Sequence, residues 1–124
     1  MVEYDFSGQV ALVTGAAHGQ GRSHAQHYAR HGADVVAVDV NHNKDTVPYD
    51  LGTSDELAET ASLVEDEGQE ALTLEADVSE EAEVAAAVDE AVDHFGKIDV
   101  LANNAGIESI AEATELDEQM WDEL

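Results

Sequence analysis

The apolar residues of this chain fall into blocks that alternate between short continuous runs and stretches with helical spacing. Val10–Val13 is a short apolar run that stops at Thr14-Gly15. Gln9–Thr14 is therefore predicted as a first strand, apolar on both faces like a parallel strand covered on each side. Glycines follow at Gly15, Gly19 and Gly21, and Arg22–Arg30 is helix-compatible, with Ala25, Tyr28 and Ala29 at helical spacing and Gly32 as its stop. Asp34–Asp39, D-V-V-A-V-D, is a second strand of the buried type. Val40 to Thr53 is irregular and holds the only proline, Pro48.

Thr53 with Glu56 forms a capping box that opens a second helix, with Leu57, Ala61 and Val64 inward and Gly68 at its end. Glu70–Glu75 is a weaker third strand. Ser79 is the expected N-cap of a long helix whose inner face is Val84, Ala85, Val88, Ala91, Val92 and Phe95, closed by Gly96. Ile98–Ala102 is a fourth strand, and another helix begins near Thr114, with Met120 and Trp121 expected on its inner face. Met1 to Gly8 is a short lead-in. Strands alternating with helices predict an α/β fold, a doubly wound parallel sheet with right-handed crossovers.

A length of 124 residues allows one domain at most. With no cysteine, neither a disulfide framework nor a thiolate metal site is available. There is no charged-then-apolar leader pattern and no apolar run of membrane-spanning length, so a cytoplasmic protein away from membranes is expected. Charge changes the picture most: 29 Asp plus Glu stand against 4 Lys plus Arg, a formal charge of −25. The clear periodicities and 44% hydrophobic content argue against disorder. Nucleic acid is an unfavourable partner, because its phosphates would be repelled. Acids spread over helix faces instead suit a halophile's cytoplasm, where molar salt shortens the Debye length to about 3 Å.

Candidate chemistry lies where the first strand ends. Thr14–Gly21, T-G-A-A-H-G-Q-G, has the spacing T-G-x-x-x-G-x-G. Glycines also gather in ordinary turns, but here they follow a strand and open a helix. That arrangement lets a pyrophosphate approach unpaired N–H groups and the positive end of a helix dipole. Asp39 ends the next strand, where a carboxylate can accept both ribose hydroxyls of an adenosine and repel a 2′-phosphate, favouring NAD over NADP. An isolated acid there would be no more than a solvated cap. With the glycines, it completes half of a dinucleotide site.

These residues resemble the N-terminal half of a short-chain dehydrogenase/reductase. Asp77-Val78 follows the third strand, which in that family lines the adenine pocket, and G-K-I-D-V-L-A-N-N-A-G spans Gly96–Gly106. There the resemblance implies that Asn104, Ala105 and Gly106 back the cofactor ribose. The candidate cofactor-binding set is therefore Gly15, His18, Gly19, Gln20, Gly21, Asp39, Val40, Asp77, Val78, Asn104, Ala105 and Gly106. The implied fold is Rossmann-type with strand order 3-2-1-4, residues 1–124 forming a partial NAD-binding domain that breaks off after the fourth strand. Gly19–Ala25 (G-Q-G-R-S-H-A), Asp45–Leu51 (D-T-V-P-Y-D-L) and Ser54–Thr60 (S-D-E-L-A-E-T) are similar to the carveol-dehydrogenase-like, mycofactocin-coupled branch. That branch implies tightly held NAD, alcohol oxidation and a peptide-derived redox partner. His18 departs from it, standing where the branch usually has arginine.

The family's acid/base Tyr, its Lys, and its Ser and Asn would lie beyond Leu124. Tyr4, Tyr28 and Tyr49 have no Lys four residues on, and Lys44 and Lys97 have no such Tyr, so no residue here is nominated as catalytic. His24, His27 and His31 share one helix face but are expected to be surface residues rather than metal ligands, and Glu80-Glu81 to be solvated. An alcohol or ketone substrate would be handled only once a C-terminal half completes the site. The alternatives are a non-catalytic nucleotide-binding remnant, or an interaction module. A fourth strand left as an open edge, beside the uncovered face of the Val84–Phe95 helix, invites self-association.

Overall fold

The computed structural model describes residues 2–124, and Met1, the start of the expected lead-in, lies outside the described residues. Four parallel strands, β1 (Val10–Thr14), β2 (Asp34–Asp39), β3 (Ala71–Glu75) and β4 (Val100–Ala102), form one sheet in the order β3-β2-β1-β4. This is the doubly wound topology expected from the alternation of periods. In β1 every residue is buried, and in β2 every residue after Asp34. Two strands whose central residues are apolar on both faces need helices above and below, and the chain supplies them.

On one face, α1 (Gly19–Arg30) and α2 (Ser54–Asp66) cover Val13, Val35 and Ala37. The buried positions of α1 are Gly21, Ala25 and Ala29, one turn apart, so a ridge of small residues lets that helix lie close to the sheet. The capping box of α2 is present: Thr53 Oγ1 accepts from the Glu56 N–H, and Glu56 reaches back to the Thr53 N–H. On the other face, α3 (Glu81–Phe95) lies over Val10, Leu12, Val36, Val38 and Leu74.

Several local expectations are corrected. Helix α1 begins three residues before Arg22, because its close contact with the end of β1 requires glycine in the first turn. In α2, Thr60 is buried and Ala61 only half-buried. Ser79 does not cap α3. Glu80 occupies the N-cap without a side-chain bond, and the Ser79 hydroxyl donates instead to Asp77. The inner face of α3 is Ala87 and Ala91 with Phe95 beside them, whereas Val84, Ala85, Val88 and Val92 are exposed. Small side chains won the contact because they bring the helix backbone nearest the sheet. Gly96 closes α3 in the left-handed conformation, at φ +82°.

Strand β4 has only three residues and forms one edge of the sheet. Leu101 pairs with Leu12 and so projects on the α3 side, where it is 57% exposed. The last helix, α4 (Glu118–Glu123), starts later than Thr114 and buries nothing, and Trp121 is 70% exposed rather than inward.

Candidate functional site

The carboxyl ends of all four strands open into one cleft of about 400 Å³. Its floor is the junction of β1 with β4. Thr14 Oγ1 accepts the N–H groups of Asn104, at 3.1 Å, and Ala105, at 3.0 Å. The Asn104 side-chain amide donates back to the carbonyls of Thr14, at 3.1 Å, and Gly15, at 3.3 Å. The T-G and N-N-A-G segments, remote in the chain, are thus one hydrogen-bonded unit. Gly15, at φ +67°, lies so near Ala105 that a Cβ there would come within 2.9 Å of the Ala105 Cα.

The loop then enters α1. His18 is the N-cap and makes no side-chain cap bond, so the helix start is not closed by its own N-cap side chain. Gly19, at φ +59°, has open space where a Cβ would be. Gly21 differs from the other two. A Cβ on it would stand 1.9 Å from the Gly15 carbonyl oxygen, so it sits behind the loop and does not line the cleft.

Asp39 is 8% exposed at the end of β2. Its Oδ2 accepts the Ala17 N–H at 2.9 Å and its Oδ1 accepts the Val40 N–H at 2.8 Å. One lone pair of each oxygen is used, and one remains for a ligand. Val40, Asp77, Val78 and Gly106 lie on the walls of the same cleft, with His18, Gly19 and Gln20 at the loop. Eleven of the twelve candidate residues therefore share one cavity, Gly21 being the exception.

Two contributors had not been singled out. Lys44 donates to Asp77 Oδ2 at 2.6 Å, both side chains being about nine-tenths covered. Ser79 donates to Asp77 Oδ1 through its hydroxyl at 2.7 Å and its N–H at 3.0 Å. Burial pushes the Asp77 carboxyl upward, but the bonds from Lys44 and Ser79 outweigh it and hold the pKa below the ordinary carboxylate value. Gly52 is the second. A Cβ there would meet Ala17 Cβ at 2.5 Å and Asp39 Oδ1 at 2.7 Å, so the Val40–Thr53 segment returns tightly against Asp39.

His24, His27 and His31 line a separate shallow groove with Tyr4, Phe6 and Tyr28. His27 and His31 each spend Nδ1 on a backbone carbonyl four residues earlier. Among the described residues, no group of three metal-ligating side chains comes together, and no helix is long and apolar enough to cross a membrane.

A glycine loop opening a helix, with an acid at the end of the next strand, defines a doubly wound nucleotide-binding fold. The chain belongs to the short-chain dehydrogenase family, whose model matches residues 9–124. It is 50% identical over 103 residues to the (-)-trans-carveol dehydrogenase of Rhodococcus erythropolis, covering 83% of this chain and 37% of that protein. The crystal structure of carveol dehydrogenase from Mycobacterium avium in complex with NAD superposes with a TM-score of 0.88 at 36% identity, covering 94% of this chain and 43% of that one. A short-chain dehydrogenase from Mycobacterium paratuberculosis bound to NAD gives a TM-score of 0.88 at 33% identity, covering 96% and 44%. The chain spans about two-fifths of the length of these relatives.

Proposed function

We propose that this chain supplies the adenosine- and pyrophosphate-binding part of an NAD-dependent oxidoreductase that acts on alcohols and their carbonyl counterparts. The observation that carries the proposal is Asp39, a buried carboxylate aimed into the cleft whose two oxygens are each fixed by one backbone N–H and keep one lone pair. That arrangement suits a vicinal diol, which needs two acceptors held at fixed spacing.

The remaining residues fit the rest of the dinucleotide. Gly19 leaves room at the helix start for a pyrophosphate, whose charge the α1 dipole favours, and Gly15, His18 and Gln20 bound that space. Gly21 serves by letting α1 come close behind. Asp77 and Val78 wall the adenine side, while Asn104, Ala105 and Gly106 back the ribose toward β4. Bound NAD would supply the hydride acceptor. The chain contributes grip and orientation, and the proton-handling Tyr and Lys would come from the polypeptide that completes the site, since no Y-x-x-x-K pattern occurs in these residues.

Calorimetry with NAD and ADP-ribose in multimolar KCl tests the proposal. Both should bind, NADP more weakly, and Asp39→Ala should lose about 1–3 kcal/mol through its charge-assisted hydrogen bonds. Absence of binding by either ligand in a sample with folded circular dichroism would overturn it.

A further inference from the structure

We infer that Arg22, which does not line the cleft, positions the Asp39 carboxylate through the peptide units of Ala16 and Ala17. The inference rests on the reading of Asp39 as the acceptor for a ribose diol. Arg22 lies on α1 just past Gly21, and its guanidinium turns back toward the loop. Nη2 donates to the Ala17 carbonyl at 2.7 Å and to the Glu56 carbonyl at 2.8 Å, while Nε donates to Thr60 Oγ1 at 3.1 Å. Thr60, fully buried on α2, donates its hydroxyl to the Ala16 carbonyl at 2.7 Å. The Ala16 carbonyl is thereby held by Thr60 of α2, and the Ala17 carbonyl by the Arg22 guanidinium that is itself tied to α2.

The N–H groups of the same two residues point the other way. Ala16 donates to the Val38 carbonyl at 3.0 Å, and Ala17 donates to Asp39 Oδ2 at 2.9 Å. Ala16 and Ala17 are themselves fully buried and carry no polar side chain that could replace these contacts. A continuous path therefore runs from the guanidinium to the Ala17 carbonyl, across the residue to its N–H, and on to Asp39. Removing the fork frees the Ala17 carbonyl and takes Nε from Thr60 Oγ1, which holds the Ala16 carbonyl of the same planar peptide unit as the Ala17 N–H, so that N–H no longer defines where Oδ2 sits. The planar fork matters as well as the charge, since one guanidinium serves three acceptors in fixed directions.

Charge alone predicts something different. Arg22 is one of 4 cations against 29 acids, so losing it would weaken any anionic ligand. That through-space effect would not depend on whether the ribose carries its 2′-hydroxyl. A positioning effect exerted through Asp39 would.

The test is the ratio of affinities for ADP and 2′-deoxy-ADP, measured by calorimetry in multimolar KCl on the wild-type chain, Arg22→Met, Arg22→Lys and Asp39→Ala, each checked for fold by circular dichroism. The wild-type chain should prefer ADP by about tenfold, the worth of one charge-assisted hydrogen bond. In Arg22→Met the preference should fall to about twofold or less, near that of Asp39→Ala. Arg22→Lys keeps the charge without the fork and should also lose most of the preference, which covers the case in which Arg22→Met does not fold. A folded Arg22→Met or Arg22→Lys that binds both nucleotides weakly in the wild-type ratio would overturn the inference. A wild-type chain that binds both equally would instead overturn the reading of Asp39.

Discussion

Gly21 lies so close behind Gly15 that a Cβ built on it would stand 1.9 Å from the Gly15 carbonyl oxygen and 2.6 Å from its carbonyl carbon. Helix α1 can meet the end of β1 only because that side chain is missing. Gly19, two residues earlier, has nothing within 4 Å. The two glycines therefore fail differently. Gly21→Ala forces backbone apart and should cost about 3 kcal/mol or more of stability, at or beyond the upper end of ordinary overpacking. Gly19→Ala carries only the strain of its positive φ, about 1–2 kcal/mol. It should fold yet bind NAD poorly, since its methyl would fill the open space at the helix start. Denaturant unfolding beside calorimetry separates the two outcomes.

The Lys44–Asp77 pair makes stability depend on pH in one direction. Asp77 is held below its ordinary pKa in the folded chain by Lys44 and Ser79, against the opposing push of burial. A carboxylate with a depressed folded value contributes stability that is complete above about pH 4, the range of an unperturbed Asp. The contribution is lost as the pH falls through the lowered value. Lys44→Met leaves Oδ2 without that partner and should cost about 1–3 kcal/mol at neutral pH. The gap between Lys44→Met and wild type should narrow below pH 4. A gap that stays constant with pH would show that the lysine acts through packing of its stem alone.

A formal charge of −25 on 124 residues should make the fold salt-dependent. Thermal midpoints followed by circular dichroism should rise from dilute to multimolar KCl as repulsion among the acids is screened. The buried pairs will not follow the same law, because they are screened far less than surface charges. Lys44→Met should therefore cost a similar amount at both ends of the salt series. A flat melting curve across the series would show that the acids are too well separated to repel.

On the α3 side of the sheet, the exposed stripe of Val84, Val88 and Val92 occurs together with an exposed Leu101. Apolar surface of this kind, next to a strand edge, favours association. Sedimentation equilibrium at high salt should show self-association that rises with concentration. Val88→Glu combined with Leu101→Thr should move the population toward monomer without lowering the affinity for NAD, since neither residue lines the cleft. Unchanged association in the double variant would place the contact elsewhere.

Short-range pattern was enough to place the strands, their alternation with helices, the capping box at Thr53 and the glycine loop, because each depends on residues within a few positions of one another, whereas the order β3-β2-β1-β4 was an expectation from the family resemblance. The ends of β1 and β2 could be read because a buried strand is a run of apolar residues, and the run stops where the chain meets the cleft. The orientation of α3 could not be read. Ala85, Val88, Ala91 and Val92 are all apolar, so hydrophobicity does not choose among them, and closeness of approach to the sheet selected Ala87 and Ala91. The Lys44–Asp77 pair and the fork of Arg22 were equally silent, since each joins residues more than thirty positions apart through loops with no repeating pattern. Even Gly21, conspicuous in the motif, had its role settled by how near α1 lies to the Gly15 carbonyl. Local chemistry named the parts of the cleft, and the distances between distant segments assigned each part its work.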